Sequence, residues 1–254
     1  MQLKLDDRCL YYETHGPQDG APVVLLHHGL GSASAWKNQI PALAEAGYRV
    51  VVYDRWGYGN SDPRPGLSIP YFDDDQHDLG AVLEALAIEQ ASLVGHSDGG
   101  TLALYFAAHC PQRLWRLVVV AAHVFIEPKM KTGIQGVWQA YEREARFRAG
   151  LHRVHGDKAA AVISNWYHGW FRPENLDWDM RPVLAQISCP VLVIQGSEDE
   201  YATHGHAVEI AAAIPGAKLW LEPGAGHLLP QDRPAGFNHR LLVFLRGEEV
   251  EHSG

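Results

Sequence analysis

The stretch Gly95-His96-Ser97-Asp98-Gly99-Gly100 (GHSDGG) lies between an apolar run and a helix-like run. The apolar run, residues 91–94, reads ASLV, and residues 101–109 read TLALYFAAH. A serine enclosed by glycines between a strand and a helix fits the pattern G-x-S-x-G. Small residues let such a turn close, and the free N–H groups at a helix start favour negative charge. We therefore predict that Ser97 is a nucleophile.

Continuous apolar runs recur along the chain and alternate with segments of helical period. Such runs, flanked by turn residues, are typical of strands buried on both faces of a parallel sheet. An alternation of strands and helices predicts an open α/β sheet. The predicted strands are 23–27, 48–53, 91–94, 117–121, 191–195 and 218–221, after an opening hairpin, and the predicted helices are 36–46, 73–86, 101–109, 203–214 and 233–245.

Residues 124–182 interrupt this alternation, because they contain helical patterns rich in aromatic and charged residues but no strand-like run. We expect a helical cap inserted between a core of residues 1–123 and 183–254. A long insertion after the carboxyl end of a strand favours a lid over a ligand site, since open α/β sheets bind ligands there. Trp138, Trp166 and Trp170 are either cap core or walls of the substrate pocket.

Composition limits the partners of the chain. Its formal net charge is −9, and it has no run of Lys and Arg, which argues against nucleic acid or an anionic membrane surface as a partner. Three widely spaced cysteines without a CxxC pair argue against a disulfide framework and favour a cytoplasmic location. No signal peptide and no apolar stretch of roughly 18 residues is evident.

A serine nucleophile needs a base, and position decides among the 15 histidines. His227 follows the last predicted strand in a glycine-rich loop that can bring its imidazole over the sheet edge. The loop after the preceding strand supplies three acids, of which we favour Asp199 over Glu198 and Glu200 as the carboxylate that orients the imidazole. Glu127, after another strand, is a weaker alternative.

Attack on a carbonyl creates an oxyanion that needs two N–H donors. We predict the backbone N–H of Asp98, the residue after the nucleophile, and that of Leu30 in the loop His27-His28-Gly29-Leu30-Gly31-Ser32. His28 is expected to pack structurally rather than to act in catalysis.

The side chain of Asp98 has two interpretations. It is either an acid in the first turn of a helix, stabilised by the helix dipole and paired with Arg143, Arg146 or Arg148, or a group facing the acyl pocket that favours a cationic substrate. No metal is expected, because the pairs His204/His206 and His152/His155 lack further ligands at suitable spacing.

Five motifs together resemble the α/β-hydrolase superfamily: HHGLGSASAW, YDRWGYGNSD, GHSDGG, QGSEDEY and GAGHLLPQDRP. The resemblance covers nearly the whole chain except the insertion. It implies a mostly parallel sheet of about eight strands, flanked by helices and carrying a helical cap. The order Ser97, Asp199, His227 is the order of that superfamily's triad. The GHSDGG variant is similar to the biphenyl-hydrolase-like (valacyclovir-hydrolase-like) esterases.

The chain is expected to be a cofactor-free serine hydrolase that cleaves a small carboxylic ester through an acyl-enzyme. Haloalkane dehalogenases and epoxide hydrolases of the superfamily use an aspartate as nucleophile, where this chain has Ser97. Two alternatives stay open. The same triad serves a lactonase or a hydrolase of C–C bonds, and a hydrolase scaffold can also act as a ligand receptor with little turnover.

Overall fold

The computed structural model describes residues 1–5 and 7–248, which form one eight-stranded sheet of order β1-β2-β4-β3-β5-β6-β7-β8. β1 and β2 pair antiparallel, and the six later strands run parallel to one another. The expected mostly parallel α/β-hydrolase sheet is thereby confirmed. The strands are β1 (Gln2–Lys4), β2 (Cys9–His15), β3 (Pro22–Leu26), β4 (Arg49–Tyr53), β5 (Ala91–His96), β6 (Leu114–Val120), β7 (Val191–Gly196) and β8 (Lys218–Glu222).

The register aligns the carboxyl ends of the parallel strands along one edge. Leu26 at the end of β3 pairs with Gly95 in β5, and Val120 at the end of β6 pairs with His96 and Ile194. The loops after β3, β5, β6, β7 and β8 therefore meet at this edge, as expected for an open α/β sheet.

Helices cover both faces of the sheet. One apolar core lies under α1 and α10, and the other lies under α2, α3, α8 and the helices of the insertion. The helices are α1 (Gln39–Glu45), α2 (Asp73–Ala85), α3 (Asp98–His109), α4 (Pro128–Arg143), α5 (Ala145–His155), α6 (Ala159–Trp170), α7 (Arg181–Leu184), α8 (Gly205–Ala213), α9 (Leu229–Asp232) and α10 (Pro234–Arg246).

The predicted helix 36–46 is wrong in its first part. A 3₁₀ turn, Ala33–Trp36, comes first, and the α-helix begins only at Gln39. The side chain of Ser32 caps the 3₁₀ turn by accepting a hydrogen bond from the N–H of Ser34. Pro41 lies in the first turn of α1, where a missing N–H breaks no helical hydrogen bond.

The insertion between β6 and β7 carries α4, α5 and α6, which pack against one another and against the core that contains α3. An isolated bridge between Phe125 and Asp179 joins the two ends of the segment. The limits 124–182 for the cap stay a prediction, and the last six residues of the predicted core range lie outside the described residues.

Within residues 1–5 and 7–248, every helix is too short or too polar to cross a bilayer.

Candidate active site

Ser97 occupies a strained turn between β5 and α3. Its φ of 56° and ψ of −121° lie in a region that residues with a Cβ rarely adopt. Three backbone hydrogen bonds hold the turn: the Ser97 N–H donates to the carbonyl of Val120 over 2.8 Å, and the Ser97 carbonyl accepts from the N–H groups of Gly100 and Thr101 over 2.8 and 3.0 Å. Strain maintained in this way is common at functional sites.

The glycines beside Ser97 are required by close backbone contacts. A Cβ on Gly95 would lie 2.2 Å from the carbonyl oxygen of Gly99, and one on Gly99 would lie 2.2 Å from that of Leu26. These distances are far below van der Waals contact, so any side chain would push the start of α3 away from β5 and β3. The sequence pattern thus has a steric cause at both positions.

His227 and Asp199 are joined by a short hydrogen bond. Nδ1 of His227 lies 2.8 Å from Oδ2 of Asp199, and both side chains are buried. The same Oδ2 accepts a bond of 2.6 Å from the amide of Gln195, while Oδ1 accepts the N–H groups of Tyr201 and Ala202. The carboxylate is therefore fixed in position from several directions.

These contacts determine the charge of Asp199. Burial by itself raises its pKa, but the neighbouring His227 and the hydrogen bonds outweigh burial and lower the pKa to about 2. The group is thus an anion at neutral pH, which can only accept hydrogen bonds. It follows that Nδ1 of His227 carries the proton and that Nε2 is free to accept one.

The competing acids have other partners. Oε2 of Glu200 accepts the backbone N–H of His227 over 3.0 Å, so this residue holds the main chain of the histidine loop. Glu127 accepts the N–H and hydroxyl of Thr203 at 2.6 and 2.8 Å, which attaches the start of the insertion to the loop before α8. Glu198 is exposed.

The two predicted oxyanion donors lie on neighbouring elements. Asp98 is the first residue of α3, so its N–H has no acceptor within the helix. The loop after β3 forms a tight turn in which the Gly31 N–H donates to the His28 carbonyl over 3.0 Å. The central peptide of this turn joins Gly29 to Leu30. Its N–H, that of Leu30, takes no part in the hydrogen bond that closes the turn.

A cavity of about 570 Å³ lies between this edge of the sheet and the insertion helices. Its lining includes Ser97, Asp98, Leu30 and His227, together with apolar side chains from α4, α5 and α6. The structure therefore brings the predicted nucleophile, base and oxyanion donors to one partly open cavity. Mainly apolar walls with a few polar groups are typical of small-molecule sites.

The side chain of Asp98 faces this cavity, and its partner differs from those expected. Its Oδ2 accepts a bond of 3.1 Å from Nε1 of Trp166 on α6. The predicted pairing with Arg143, Arg146 or Arg148 is wrong, because none of these side chains forms an ion pair with Asp98. Arg148 binds the carbonyls of Tyr141 and Glu142, and Arg146 lines the cavity at its exposed side.

Burial raises the pKa of Asp98 to about 6, although the charge of Arg55 and the hydrogen bond from Trp166 both act to lower it. Perturbed carboxylates in a cleft are candidates for a functional role. At neutral pH the cavity therefore contains a carboxylate directly after Ser97.

The three tryptophans named from the sequence are in different surroundings. Trp166 and Trp170 line the cavity, and Trp170 also contacts His123 edge-on, with ring centroids 5.8 Å apart. Trp138 lies outside the cavity lining and stacks on Tyr167 at 4.6 Å. Trp138 packs against α6 in this arrangement, and its contact with a substrate stays a prediction.

Two cavity residues were missed or misjudged from the sequence. His123, just after β6, lines the cavity and stacks on His227 at 6.0 Å, and burial keeps its pKa well below the usual value. Its position directly after a predicted strand is the sequence feature that could have placed His123 at the site edge. His28, expected only to pack, also lines the cavity while contacting His96 edge-on at 5.2 Å.

The histidine pairs considered for metal binding bond elsewhere. Nδ1 of His206 accepts the Val124 N–H over 3.2 Å, and His155 joins two core loops. Within the described part of the chain, no group of three or more His, Cys, Asp or Glu side chains is arranged to hold a metal ion.

Comparisons with known proteins agree with this geometry. Residues 22–158 match the family model described as alpha/beta hydrolase fold. The RutD protein of Caulobacter sp. (strain K31) is 31% identical over 94% of this chain and 96% of its own length. Serine hydrolase BPHL of Homo sapiens is 30% identical over 93% of this chain and 83% of its own length.

A solved structure, a hydrolase from Pseudomonas aeruginosa PA01, superposes with a TM-score of 0.77 at 28% identity and covers 96% of this chain and 97% of that one. The family model spans more than half of the chain, and the relatives extend over nearly all of it. The chain is therefore a hydrolase of the α/β-hydrolase fold family.

Proposed function

We propose that this hydrolase cleaves a small carboxylic ester through an acyl-enzyme on Ser97. The observation that supports this most is the shared cavity: a serine in a strained turn and a histidine bonded to a buried carboxylate both line it. A serine hydroxyl is a weak nucleophile by itself, and a base with an orienting partner activates it.

The proposed reaction uses these groups in two half-reactions, acylation of Ser97 and deacylation by water. Nε2 of His227 takes the proton of Ser97 as Oγ attacks the ester carbonyl, while Asp199 holds the imidazole and stabilises its cation. The N–H groups of Asp98 and Leu30 stabilise the oxyanion. His227 then protonates the departing alcohol, and a water molecule activated by the same imidazole releases the acid.

The carboxylate of Asp98 favours an ester whose acyl part carries a positive charge. Among the described residues, Trp166 is the hydrogen-bond donor to this side chain, and it uses only Oδ2. An anion buried beside the acyl site is costly unless it is paired. A substrate ammonium group would supply that pairing, so we assign Asp98 to recognition of an amine near the scissile carbonyl.

Hydrolysis of a panel of p-nitrophenyl esters tests the reaction. Acetate, butyrate and octanoate esters would be assayed with the wild type, with Ser97→Ala and with Ser92→Ala, a control on the same strand at the opposite end. Loss of about 10³-fold or more in kcat is expected for Ser97→Ala alone. An acyl adduct on the peptide containing Ser97, detected by mass spectrometry after rapid quenching, would identify the intermediate.

Three results would contradict the ester proposal. Undiminished turnover by Ser97→Ala would exclude this serine as the nucleophile. Wild type that is inactive on every ester, yet opens a lactone or cleaves a C–C bond next to a carbonyl, would assign the same residues to another bond. An adduct that forms once and is never released would indicate a receptor.

Recognition of an amine is tested with two esters that differ only in that group, the p-nitrophenyl esters of L-alanine and propionic acid. Asp98→Asn keeps an oxygen for the Trp166 bond but removes the charge. We expect kcat/KM to fall by about tenfold or more for the alanine ester and little for the propionate, because a charge-assisted contact is lost only in the first case. An equal loss on both esters would reject the assignment.

A further inference from the structure

His155, the last residue of α5, makes two hydrogen bonds from the insertion to the core. Its Nε2 lies 3.0 Å from the carbonyl oxygen of Leu30, and its Nδ1 lies 3.0 Å from the backbone nitrogen of Gly59. The residue is 2% exposed. Its ring also contacts Tyr58 edge-on, with centroids 5.9 Å apart.

The partners of His155 determine its tautomer. A backbone N–H can only donate, so Nδ1 accepts from Gly59, and the proton is on Nε2, which donates to the carbonyl of Leu30. Burial and the nearby Lys158 lower the pKa of His155 to about 4, against the opposing effect of the Leu30 bond. The imidazole is therefore neutral and has its single N–H aimed at Leu30.

The carbonyl that accepts this bond belongs to the turn that carries a proposed oxyanion donor. In that turn the peptide between Leu30 and Gly31 is held at its N–H end by the carbonyl of His28. His155 holds the same peptide at its carbonyl end. With both ends fixed, the Cα of Leu30 is fixed, and rotation of the preceding peptide, which bears the Leu30 N–H, is restricted.

The insertion touches this turn at a second point. Gly29 packs so closely against α6 that a Cβ there would lie 2.2 Å from Nε1 of Trp166. α5 and α6 therefore contact two consecutive residues of the turn, one through a hydrogen bond and one through packing. The oxyanion turn is thus enclosed from the insertion side as well as supported from the sheet.

We propose that His155 is a positioning residue that couples the seating of the insertion to the oxyanion donor of Leu30. The inference rests on the proposed function, in which the N–H of Leu30 stabilises the oxyanion. A donor that is misplaced by a fraction of an ångström loses transition-state stabilisation without changing how the substrate binds. Loss of the bond to Leu30 therefore lowers kcat and leaves KM nearly unchanged.

Two substitutions separate the two bonds of His155. The amide of Gln reaches the place of Nε2, so His155→Gln keeps a donor for Leu30 and gives up the acceptor for Gly59. The amide of Asn reaches only the place of Nδ1, so His155→Asn keeps the acceptor and loses the donor. Each variant loses one of the two buried hydrogen bonds between the imidazole and a backbone group, so their losses of stability are expected to be of similar size.

Lys158 supplies a control for the general attachment of the insertion. Its ammonium group binds the carbonyls of Ser61 and Tyr58, in the same core loop as Gly59 but away from Leu30. Lys158→Met weakens the attachment without touching the oxyanion turn, so it is expected to lower Tm and to change kcat by less than about twofold.

The experiment measures kcat, KM and Tm of the three variants on the best ester of the panel, together with the inhibition constant of a trifluoromethyl ketone, which forms a tetrahedral adduct. We expect His155→Asn to lower kcat by about tenfold or more and to keep KM within about twofold. The inhibition constant of the ketone is expected to rise by about the same factor as kcat falls. His155→Gln is expected to retain kcat within about threefold.

Equal kcat values for the Asn and Gln variants would overturn the inference, as would a loss of kcat in Lys158→Met as large as that in His155→Asn. Either result would make His155 a structural attachment only. An active Ser97→Ala would instead reject the proposed function, and the inference with it, so the two failures are distinguishable.

Discussion

The indole N–H of Trp166 donates a hydrogen bond over 3.1 Å to Oδ2 of Asp98, and this bond connects α6 of the insertion to the first residue of α3. The residues are 68 positions apart in the chain. The bond orients the carboxylate beside Ser97 and makes its charge dependent on the position of α6.

Trp166→Phe is expected to raise the pKa of Asp98 further above about 6, because the hydrogen bond that stabilises the anion is removed. Titration of the carboxyl carbon by NMR would measure the change. Trp170→Phe is the matched control, since Trp170 lines the same cavity without a hydrogen bond to Asp98. The same pKa change in both variants would show that the bond has no specific effect.

The raised pKa of Asp98 also predicts how stability depends on pH. Burial raises the pKa of Asp98 in the folded protein to about 6, against 3.8 for the solvated side chain in the unfolded chain. Stability from this group is present below pH 4 and is lost as pH rises through 6, by up to about 3 kcal/mol. The unfolding free energy of Asp98→Asn relative to wild type should therefore increase between pH 4 and 7.

Urea unfolding of both proteins at several pH values would measure this difference in unfolding free energy. The contributions of the other titrating groups are nearly the same in the two proteins and largely cancel in the difference. A difference that stays constant from pH 4 to 7 would mean that Asp98 does not titrate in this range.

Asp199→Asn is expected to lower kcat by about 10³–10⁴-fold, because an amide in place of the anion no longer orients and stabilises the imidazole of His227. Glu200→Gln is the control: its side chain retains an oxygen for the His227 N–H, so a change of less than about tenfold is expected. Steady-state assays decide the matter. The reverse ranking of the two variants would identify Glu200 as the orienting acid.

Gly95→Ala is expected to destabilise the protein by about 1–3 kcal/mol or more, because the new Cβ would lie 2.2 Å from a backbone oxygen of α3. Gly136→Ala makes the same chemical change on an exposed part of α4 with nothing within 4 Å. That variant should gain about 0.5–1 kcal/mol from its helix propensity. Similar free energies of unfolding for both variants would contradict the steric explanation.

The sheet and the site edge could be predicted because their signals are local. Continuous apolar runs mark buried strands, and parallel strands bring all their carboxyl ends to one edge. Three such strands are followed by Ser97, Asp199 and His227. The order of strands and helices along the chain was therefore enough to predict that these residues lie close together. The tight turn at Ser97 could likewise be predicted, because the glycines on either side of it are visible in the sequence.

Contacts across the insertion could not be predicted in this way. Opposite charges attract, so the sequence predicts an arginine of α4 or α5 as the partner of Asp98, yet the packing of α6 places the indole of Trp166 at the carboxylate instead. His155 was considered only as a metal ligand. Its real partners, Leu30 and Gly59, are backbone groups, which no side-chain pattern reveals.

Gly29 connects these observations to the way such a site changes during evolution. Its missing side chain leaves the space in which Trp166 and Asp98 meet, since a Cβ would lie 2.2 Å from the indole nitrogen and 2.6 Å from the carboxylate. A residue larger than glycine at position 29 therefore requires the indole at position 166 and the carboxylate at position 98 to move or to be replaced. A change at position 98 that keeps the size of the side chain, such as Asp98→Asn, needs no change at the other two positions.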